Sequence, residues 1–381
     1  MPVSRQLPSD EARSLLELTR ELAVAELDPR VEAAEEAGEF PREVFRTLGK
    51  AGLLGLAYPE EYGGAAQPYE TYLQVLEELA SHWLAVALGV SVHTLACYPV
   101  AAFGSDEQKA RWLPEMVGGE QLGAYCLSEP NSGSDAAALS TRAKREGDEY
   151  VVNGVKAWIT HGGVADFYNL MVRTNDDGPR GISCLLADAA TPGLSAAPPE
   201  KKMGMRSSTT AQIRLDDARV AADRLIGAEG QGFTIALAAL DGGRLGIAAC
   251  AVGLAQGALD YAVDYAKGRK QFGRPIIDNQ GLSFMLADMA TAVESARALY
   301  LSAARRRDAG EAYGRYAAMA KLHATDVAMK VTTDAVQVLG GYGYTSDYPA
   351  ERWMREAKVL QIVEGTNQVQ RLVIGRHLAK S

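Results

Sequence analysis

The sequence contains few cysteines, and they lie far apart. Only four occur among 381 residues: Cys97, Cys126, Cys184 and Cys250. Because no CxxC pair is present, neither a zinc site nor a dithiol redox motif is indicated, and we expect no metal. The opening stretch MPVSRQLPSD also lacks the apolar core of a secretory signal. Together these features predict a reduced, cytoplasmic setting of the bacterial type.

Positive charge and long apolar runs are also scarce. The formal net charge of -9 argues against a nucleic-acid surface, because phosphate binding needs clustered lysines and arginines. The run Arg305-Arg306-Arg307 is too short to change this expectation and is predicted to be a solvated helix end. The longest apolar run, WLAVALGVSV, is too short to cross a bilayer, which predicts a buried helix and no membrane span.

The familiar nucleotide motifs are missing as well. No G-x-G-x-x-G follows a strand-like run, and neither a P-loop nor an H-E-x-x-H motif is present. A nicotinamide Rossmann site is therefore not expected. What the chain does contain is a set of glycine-rich and polar segments between apolar ones.

The apolar pattern changes twice along the chain, which predicts three domains. Residues 1–122 have a helical pattern, and residues 123–227 form strand-like runs separated by Gly, Pro and Asp turns. Residues 228–381 return to long helices. The expected architecture is helical, then a small β domain, then a helical bundle.

Two segments make these predictions specific. EYVVNGVKAWIT is predicted to fold as a hairpin around Asn153-Gly154, the strongest short hairpin signal. Apolar residues recur every three or four positions from Leu282 to Leu299, which is typical of one helix of a bundle. The other helices of the bundle are predicted at 232–267, 311–338 and 349–378.

Two polar segments of the middle domain suit a planar, phosphate-bearing ligand. In YCLSEPNSGSD, Ser128, Ser134 and the backbone around Gly133 can offer several hydrogen-bond donors, although a plain connecting loop would have the same composition. In AWITHGG, Trp158 and Thr160 combine a flat ring with a hydroxyl, although a tryptophan is more often core.

Two further segments lie among the predicted C-terminal helices. KGRKQFGRP places cationic side chains around Phe272, although a solvated loop between helices would look similar. In QVLGGYGY, Gly340 and Gly341 follow a predicted helix. A helix end needs one glycine at most, so a second suggests close approach of the backbone to another group.

The segment QIVEGTNQ raises a question about Glu364. This carboxylate is either an ordinary surface glutamate at a helix break or a base held in a dry pocket. On the second interpretation, Ile362 and Val363 help to exclude water, and Gly365 removes a side chain from the path of a substrate.

Six segments together decide between these alternatives: YCLSEPNSGSD, NGVKAWITHGG, LDGGRLGIAACAVGLAQGALDYAVDYAKGRKQFGRP, QVLGGYGY, PAERWMREAK and IVEGTNQVQRLVIGRHL. In their order and spacing the chain resembles the acyl-CoA dehydrogenase family over almost its whole length, most closely the short- and medium-chain members. The resemblance implies a mainly helical α+β fold with an N-terminal helical domain, a β-barrel-like middle domain and a C-terminal four-helix bundle. It also implies FAD, a homotetramer built as a dimer of dimers, and a role in fatty acid β-oxidation.

The resemblance further assigns residues to the cofactor. Ser128 would donate to the flavin ring, Trp158 and Thr160 would lie at its other edge, and the segments around Arg269 and Gly340 would reach the FAD of a neighbouring subunit. The full set implied to bind FAD is Tyr125, Leu127, Ser128, Gly133, Ser134, Trp158, Ile159, Thr160, Arg269, Gln271, Phe272, Asn279, Gln280, Gln337, Val338, Gly340, Gly341, Thr366 and Gln368.

The substrate implied by the resemblance is an acyl-CoA thioester, contacted by Ser134, Asp241, Arg244 and Gly365. Glu364 would abstract the α-proton while the β-hydrogen passes as hydride to flavin N5, giving the trans-2-enoyl-CoA. The backbone N–H of Glu364 and a ribityl hydroxyl of FAD would stabilise the developing enolate. An electron-transferring flavoprotein is the expected electron acceptor.

Two departures narrow the expected reaction. Isovaleryl-type members carry their base at the position of Gly243, so no second carboxylate competes with Glu364. WLAVALGVSVH has no arginine where glutaryl-type members bind a distal carboxylate, which disfavours a diacid substrate. A flavin-dependent oxidase or monooxygenase, and a non-catalytic acyl-CoA-binding protein, remain the alternative functions. The chain length and branching of the acyl group are not predicted.

Overall fold

The computed structural model describes residue 3 and residues 5–379. The first residue of the predicted N-terminal domain and the last of the C-terminal one therefore lie outside the described residues. Helices run from Asp10 to Gly118, and Ser9 caps the first by accepting a hydrogen bond from the N–H of Ala12 (3.1 Å). The helices of this part are α1 (Asp10–Leu22), α2 (Val31–Ala37), α3 (Arg42–Lys50), α4 (Tyr69–His82), α5 (Leu84–Phe103) and α6 (Asp106–Gly118).

Two helices are long and apolar enough to cross a membrane by length and composition alone. They are Leu84–Phe103 and Gly232–Gly268, and 89% and 78% of their most apolar windows are buried inside the protein. The predicted burial of WLAVALGVSV is confirmed, but the helix that begins directly after Trp83 has 20 residues and is longer than that run. Both helices pack against several other helices of the chain.

The middle of the chain forms one mixed sheet. Its strands run in the order β6-β7-β3-β2-β4-β5-β8, and β1 pairs in parallel with β4. No pairing between β6 and β8 closes this sheet within the described residues, so it is open, whereas a barrel-like domain was expected. The strands are β1 (Gly123–Cys126), β2 (Arg142–Glu146), β3 (Glu149–Thr160), β4 (Phe167–Arg173), β5 (Ile182–Asp188), β6 (Leu194–Ala196), β7 (Thr210–Ala221) and β8 (Leu225–Ile226).

The hairpin predicted around Asn153-Gly154 is wrong. These residues lie inside β3, which continues unbroken for 12 residues, and the chain reverses instead between Glu146 and Glu149. The register against β7 shifts between Val152 and Gly154, which marks a bulge. Turn-forming residues inside a strand are typical of such bulges, and here the glycine also avoids a clash, because a Cβ would lie 2.8 Å from Cα of Thr141.

The C-terminal helices confirm the predicted bundle in all but one respect. The buried stripe of α8 includes Met289 and Val293, as the periodicity predicts. The run 349–378, expected to be one helix, is two helices separated by residues 361–366. The elements are α7 (Gly232–Gly268), β9 (Lys270–Gln271), β10 (Arg274–Pro275), α8 (Gln280–Asp308), α9 (Gly314–Leu339), α10 (Ala350–Leu360) and α11 (Asn367–Leu378).

Candidate active site

Glu364 lies in the turn that separates α10 from α11. Thr366 caps α11 by accepting a hydrogen bond from Val369 N–H (3.3 Å), and the turn is closed by Asn367 N–H donating to Gln361 C=O (3.0 Å). Glu364 has φ 52° and Gly365 φ 90°, so the glycine is needed for its left-handed backbone. A non-glycine residue with positive φ is uncommon and often marks a functional site.

The carboxyl group of Glu364 is buried and has no hydrogen-bond partner. Both side-chain oxygens are inaccessible and unpaired among the described residues. They lie against Gly243 of α7, where a Cβ would be 2.8 Å from Cδ of Glu364. Burial raises the pKa of Glu364 to about 7, although the charges of Arg244 and Lys321 act in the opposite direction. A carboxyl group with this pKa can exchange a proton near neutral pH.

Lys321 of α9 forms hydrogen bonds to the turn that carries Glu364. Its ammonium donates to Gly365 C=O (2.9 Å) and to the side-chain oxygen of Asn367 (2.9 Å). Burial lowers the pKa of Lys321 to about 8, while the negative charge of Glu364 raises it. The lysine therefore positions the backbone that carries the proposed base and places a cation beside it.

Asp241 and Arg244, three residues apart on α7, form an ion pair on either side of Gly243. Arg244 is 6% exposed and donates to Asp241 at 2.5 Å, while its buried Nε atom has no hydrogen-bond partner among the residues that the structure describes. Burial raises the pKa of Asp241, and Arg244 counteracts this shift. The structure thus brings Asp241, Arg244, Gly365 and Glu364 of the predicted site into one neighbourhood.

Of the two residues expected to exclude water from Glu364, Val363 is half-buried and packs against the hydrophobic core, whereas Ile362 is exposed. Ile362 is 53% exposed, so the prediction that it dries the pocket is wrong for this chain. Burial raises the pKa values of Tyr69, Tyr125 and Cys250, and the negative charge of the nearby Glu364 raises each of them further. These side chains come from α4, β1 and α7, and no sequence period connects them to residue 364.

A buried ion pair holds the loop after β1. Lys156 of β3 donates to Glu129 at 2.8 Å, and Glu129 also accepts hydrogen bonds from the backbone of Ser140 (2.6 Å) and Thr141 (3.0 Å). Burial alone would raise the pKa of Glu129, but Lys156 and these donors lower it to about 2. Since Ala157 N–H donates to Ser128 C=O (2.9 Å), the loop is also tied directly to β3.

The same two elements present an exposed aromatic surface. Trp158 is 63% exposed with φ 62°, although it lies near the end of a buried strand. Thr160 is half-buried beside it, and the exposed Gly133 and Ser134 lie in the neighbouring loop. An exposed indole next to hydroxyls and free loop backbone fits the ring and side chain of a flavin. Leu127 and Ile159 are buried, so they can contribute through their backbone only.

A second group of predicted residues meets in a separate pocket of about 440 Å³. Arg269 and Gln271, after α7, line it together with Val338, Gly340 and Gly341 at the end of α9. Phe272, between them in sequence, is 97% exposed and has φ 51°. The segments KGRKQFGRP and QVLGGYGY are far apart in the chain. The fold brings them to the same pocket, as expected if both contact one ligand.

The remaining predicted residues lie at helix ends or on exposed surface. Asn279 and Gln280 begin α8, where Asn279 accepts a hydrogen bond from Arg274 (2.9 Å). Gln337 and Gln368 are exposed in α9 and α11, and Thr366 caps α11. Their assignments to FAD, like that of Ser134 to the substrate, remain predictions.

Sequence reasoning missed Lys321 and Arg307. Lys321 follows the buried stripe of α9, four residues after Ala317 and three before Ala324, and a lysine on an apolar face was the available signal. Arg307 was grouped with its neighbours as a solvated helix end, but its NH1 atom is buried.

Comparison with known proteins gives a consistent answer. Family models match residues 9–120, 124–218 and 230–379, described as the N-terminal, middle and C-terminal domains of acyl-CoA dehydrogenase. The short-chain specific acyl-CoA dehydrogenase of Clostridium acetobutylicum is 45% identical over 96% of this chain and 97% of its own length.

Solved structures agree with this result. Butyryl-CoA dehydrogenase from Megasphaera elsdenii superposes with a TM-score of 0.96 at 40% identity, over 99% of this chain and 100% of its own. A chain in a structure of the electron-transferring flavoprotein of Acidaminococcus fermentans superposes with a TM-score of 0.97 at 44% identity, over 100% of both chains.

Proposed function

The chain belongs to the acyl-CoA dehydrogenase family of oxidoreductases, and we propose that it converts a saturated acyl-CoA thioester into the trans-2-enoyl-CoA with FAD. Bound FAD would accept the β-hydrogen as hydride. The observation that carries this proposal is the carboxyl group of Glu364, which is buried, unpaired and beside Gly243. A structural glutamate at a helix break would need neither the burial nor the missing partner.

Glu364 is proposed to abstract the α-proton. An α C–H is a very weak acid, and a solvated carboxylate with a pKa near 4.3 is a poor match for it. The pKa of about 7 makes Glu364 a stronger base than a solvated carboxylate, and about half of it is still ionised at neutral pH. The neighbouring Arg244 and Lys321 keep burial from raising the pKa further.

The backbone N–H of Glu364 is proposed to stabilise the thioester oxygen. It donates to no acceptor among the hydrogen bonds of the described residues, so it is free to meet the charge that develops on the carbonyl. The left-handed backbone at Glu364 and Gly365, held by Lys321, would aim this donor. A donor fixed before the reaction needs no reorganisation when charge appears.

Ser128, Thr160 and Trp158 are proposed to hold the flavin ring, the first two through hydrogen bonds and the third through its exposed indole. The ion pair of Glu129 with Lys156 would fix the loop that carries Ser128. Arg269, Gln271, Gly340 and Gly341 would hold the FAD of a partner subunit, which makes a homotetramer the expected assembly. The exposed Phe272 supports this interface, because an isolated subunit would leave its ring in water.

An electron-transferring flavoprotein is proposed as the electron acceptor of this enzyme. The similarity to a chain in the A. fermentans structure supports this class of acceptor. A cytoplasmic location and a role in acyl-chain β-oxidation complete the proposal, and the match to short-chain specific and butyryl-CoA enzymes favours short acyl groups.

Anaerobic addition of butyryl-CoA to the purified yellow protein tests the function. The flavin absorbance should bleach, and oxidised electron-transferring flavoprotein should restore it. A flavin that no acyl-CoA bleaches would contradict the proposal. Rapid re-oxidation by air with formation of peroxide would instead support the oxidase alternative.

A further inference from the structure

Gln370 of α11 is completely buried beside the turn that carries Glu364. Its side-chain Nε2 atom donates to Gly365 C=O (2.8 Å) and to Glu364 C=O (3.3 Å), so both of its hydrogens are used. These contacts fix the orientation of the amide, because the reversed amide would place its oxygen against two carbonyl oxygens. Gln370 therefore ties two successive carbonyl groups of the turn to the buried face of α11.

The same glutamine has an oxygen without a partner. Its Oε1 atom is buried and accepts no hydrogen bond from the residues that the structure describes. An unpaired buried acceptor is destabilising, and an apolar side chain of similar size would avoid that penalty. The presence of an amide at position 370 is therefore best explained by the two hydrogen bonds that it donates to the turn.

Gly365 makes these hydrogen bonds necessary. Its φ is 90°, but a glycine adopts negative φ about as readily, so its own backbone leaves the turn free to change conformation. The carbonyl of Gly365 accepts from Lys321 (2.9 Å) as well as from Gln370, which uses both of its lone pairs. A Cβ on residue 365 would lie 2.8 Å from Nε2 of Gln370, so the glycine also leaves room for the amide.

We propose that Gln370 is a positioning residue, whose amide holds the turn so that the backbone N–H and the carboxyl group of Glu364 face the thioester together. This inference rests on the proposed function, because it takes Glu364 to be the base. Val363 N–H donates to Val359 C=O (3.0 Å), which fixes the turn on its α10 side, and Gln370 fixes it on its α11 side. A turn held on both sides presents its donor and its base in one geometry before the substrate arrives.

Binding of two thioesters separates positioning from simple stabilisation. One is trans-2-butenoyl-CoA, which is neutral, and the other is acetoacetyl-CoA, which loses its α-proton easily and forms an enolate that resembles the charge developing in the reaction. Neither can be dehydrogenated between its α- and β-carbons, so calorimetry on the FAD-loaded protein gives both dissociation constants. Gln370→Leu should weaken acetoacetyl-CoA binding by about tenfold or more, and trans-2-butenoyl-CoA binding by less than about threefold.

Two further variants complete the comparison. Gln370→Glu keeps the size of the side chain but cannot donate to both carbonyls, so it should act in the same direction as Gln370→Leu. The matched control is Gln256→Leu, which removes another glutamine that is only 9% exposed and accepts from Arg297 (2.7 Å) elsewhere in the bundle. This control should leave the ratio of the two dissociation constants unchanged. Melting curves and flavin content show which variants are folded.

An unchanged ratio in either folded variant of Gln370 overturns the proposal, and so does an equal loss of both ligands, which would indicate general loosening. A shift of the same size in Gln256→Leu overturns it too, as does failure of both Gln370 variants to fold, which would make this residue a determinant of folding. Butyryl-CoA is also added to the original protein. Flavin bleaching together with an unchanged ratio contradicts only the role of Gln370, whereas absence of bleaching contradicts the dehydrogenase function itself.

Discussion

The carboxyl group of Glu364 fills the space that a side chain on Gly243 would need. The three atoms nearest to a Cβ built on Gly243 all belong to this carboxyl group, with Cδ at 2.8 Å and Oε1 at 3.1 Å. Gly243 lies within α7 and does not have positive φ, so its backbone accepts other residues without strain. Side chains at positions 243 and 364, which are more than a hundred residues apart in the chain, would therefore occupy the same point in the site.

This relationship predicts that the base can be moved. Glu364→Gly should abolish flavin reduction by butyryl-CoA, and the double change Glu364→Gly with Gly243→Glu should restore part of it. Restoration should be partial, because a displacement of about an ångström can cost roughly a hundredfold in rate. Anaerobic stopped flow at equal flavin content compares the two proteins. A double mutant that binds FAD but reduces it no faster than the single mutant would show that position 243 does not reach the α-carbon.

Glu364→Gln should leave FAD and acyl-CoA bound but lower flavin reduction by roughly a hundredfold to ten-thousandfold, since the amide cannot accept the proton. With Glu364 in place, the reduction rate should rise with pH through an apparent pKa of about 7, and this dependence should vanish in the variant. If the variant keeps a tenth of the original rate, another residue is the base.

The same pKa has a consequence for stability. The folded-state pKa of Glu364 is raised above its unfolded value, so its contribution to stability is present at low pH and lost as pH rises toward and through about 7. Glu364→Gln should therefore gain thermal stability over the original protein as pH increases from about 4.5 to 7. Melting curves across this range check the sign, and a difference independent of pH would contradict the buried-carboxylate account.

The Glu129–Lys156 pair should matter for flavin retention. Glu129→Gln leaves Lys156 buried without a counter-charge, which typically costs about 3–5 kcal/mol, and it loosens the loop that carries Ser128. The double change Glu129→Leu with Lys156→Met should cost less than the single change, because no charge remains buried. Flavin release and urea unfolding measure both effects, and equal stability of the single mutant and the original protein would exclude them.

Lowering the pH should reduce the stability that Glu129 contributes, whereas for Glu364 it is raising the pH that reduces it. The pKa of Glu129 is lowered to about 2, so its stabilising contribution is present above the unfolded value and lost as pH falls toward 2. Glu129→Gln should therefore show a weaker loss of stability between about pH 4.5 and 2 than the original protein.

Arg269→Ala should weaken FAD retention and tetramer formation together. Arg269 lines the pocket shared with Gly340 and lies over the ring of Tyr342 at 5.7 Å, and it forms no ion pair among the described residues. Lys267→Ala, which removes an exposed cation paired with Asp264, is the matched control. Flavin content and light scattering are the measurements. A tetramer with full flavin content would show that the pocket does not face a partner's cofactor.

The sequence by itself determined the order of helices and strands, the burial of the apolar runs, and the identity of the family. These features depend on local periodicity and on motifs contiguous in the chain, as Val293 and the segment around Ser128 illustrate. Where a short segment is compatible with more than one conformation, residues that pack against it from elsewhere in the chain determine which one forms. Asn153-Gly154 has the composition of a turn but lies in a bulge, because Thr141 and β7 pack against it.

Only the tertiary structure decided what surrounds Glu364. Ile362, two residues before it in sequence, is exposed, whereas Gly243 of α7 lies against its carboxyl group and Lys321 of α9 donates to the next residue, Gly365. The pKa of a carboxyl group depends on desolvation and on charges within a few ångströms, and chain separation carries no information about either. For the same reason Arg307 looked like one of three solvated arginines until the fold buried its NH1 atom.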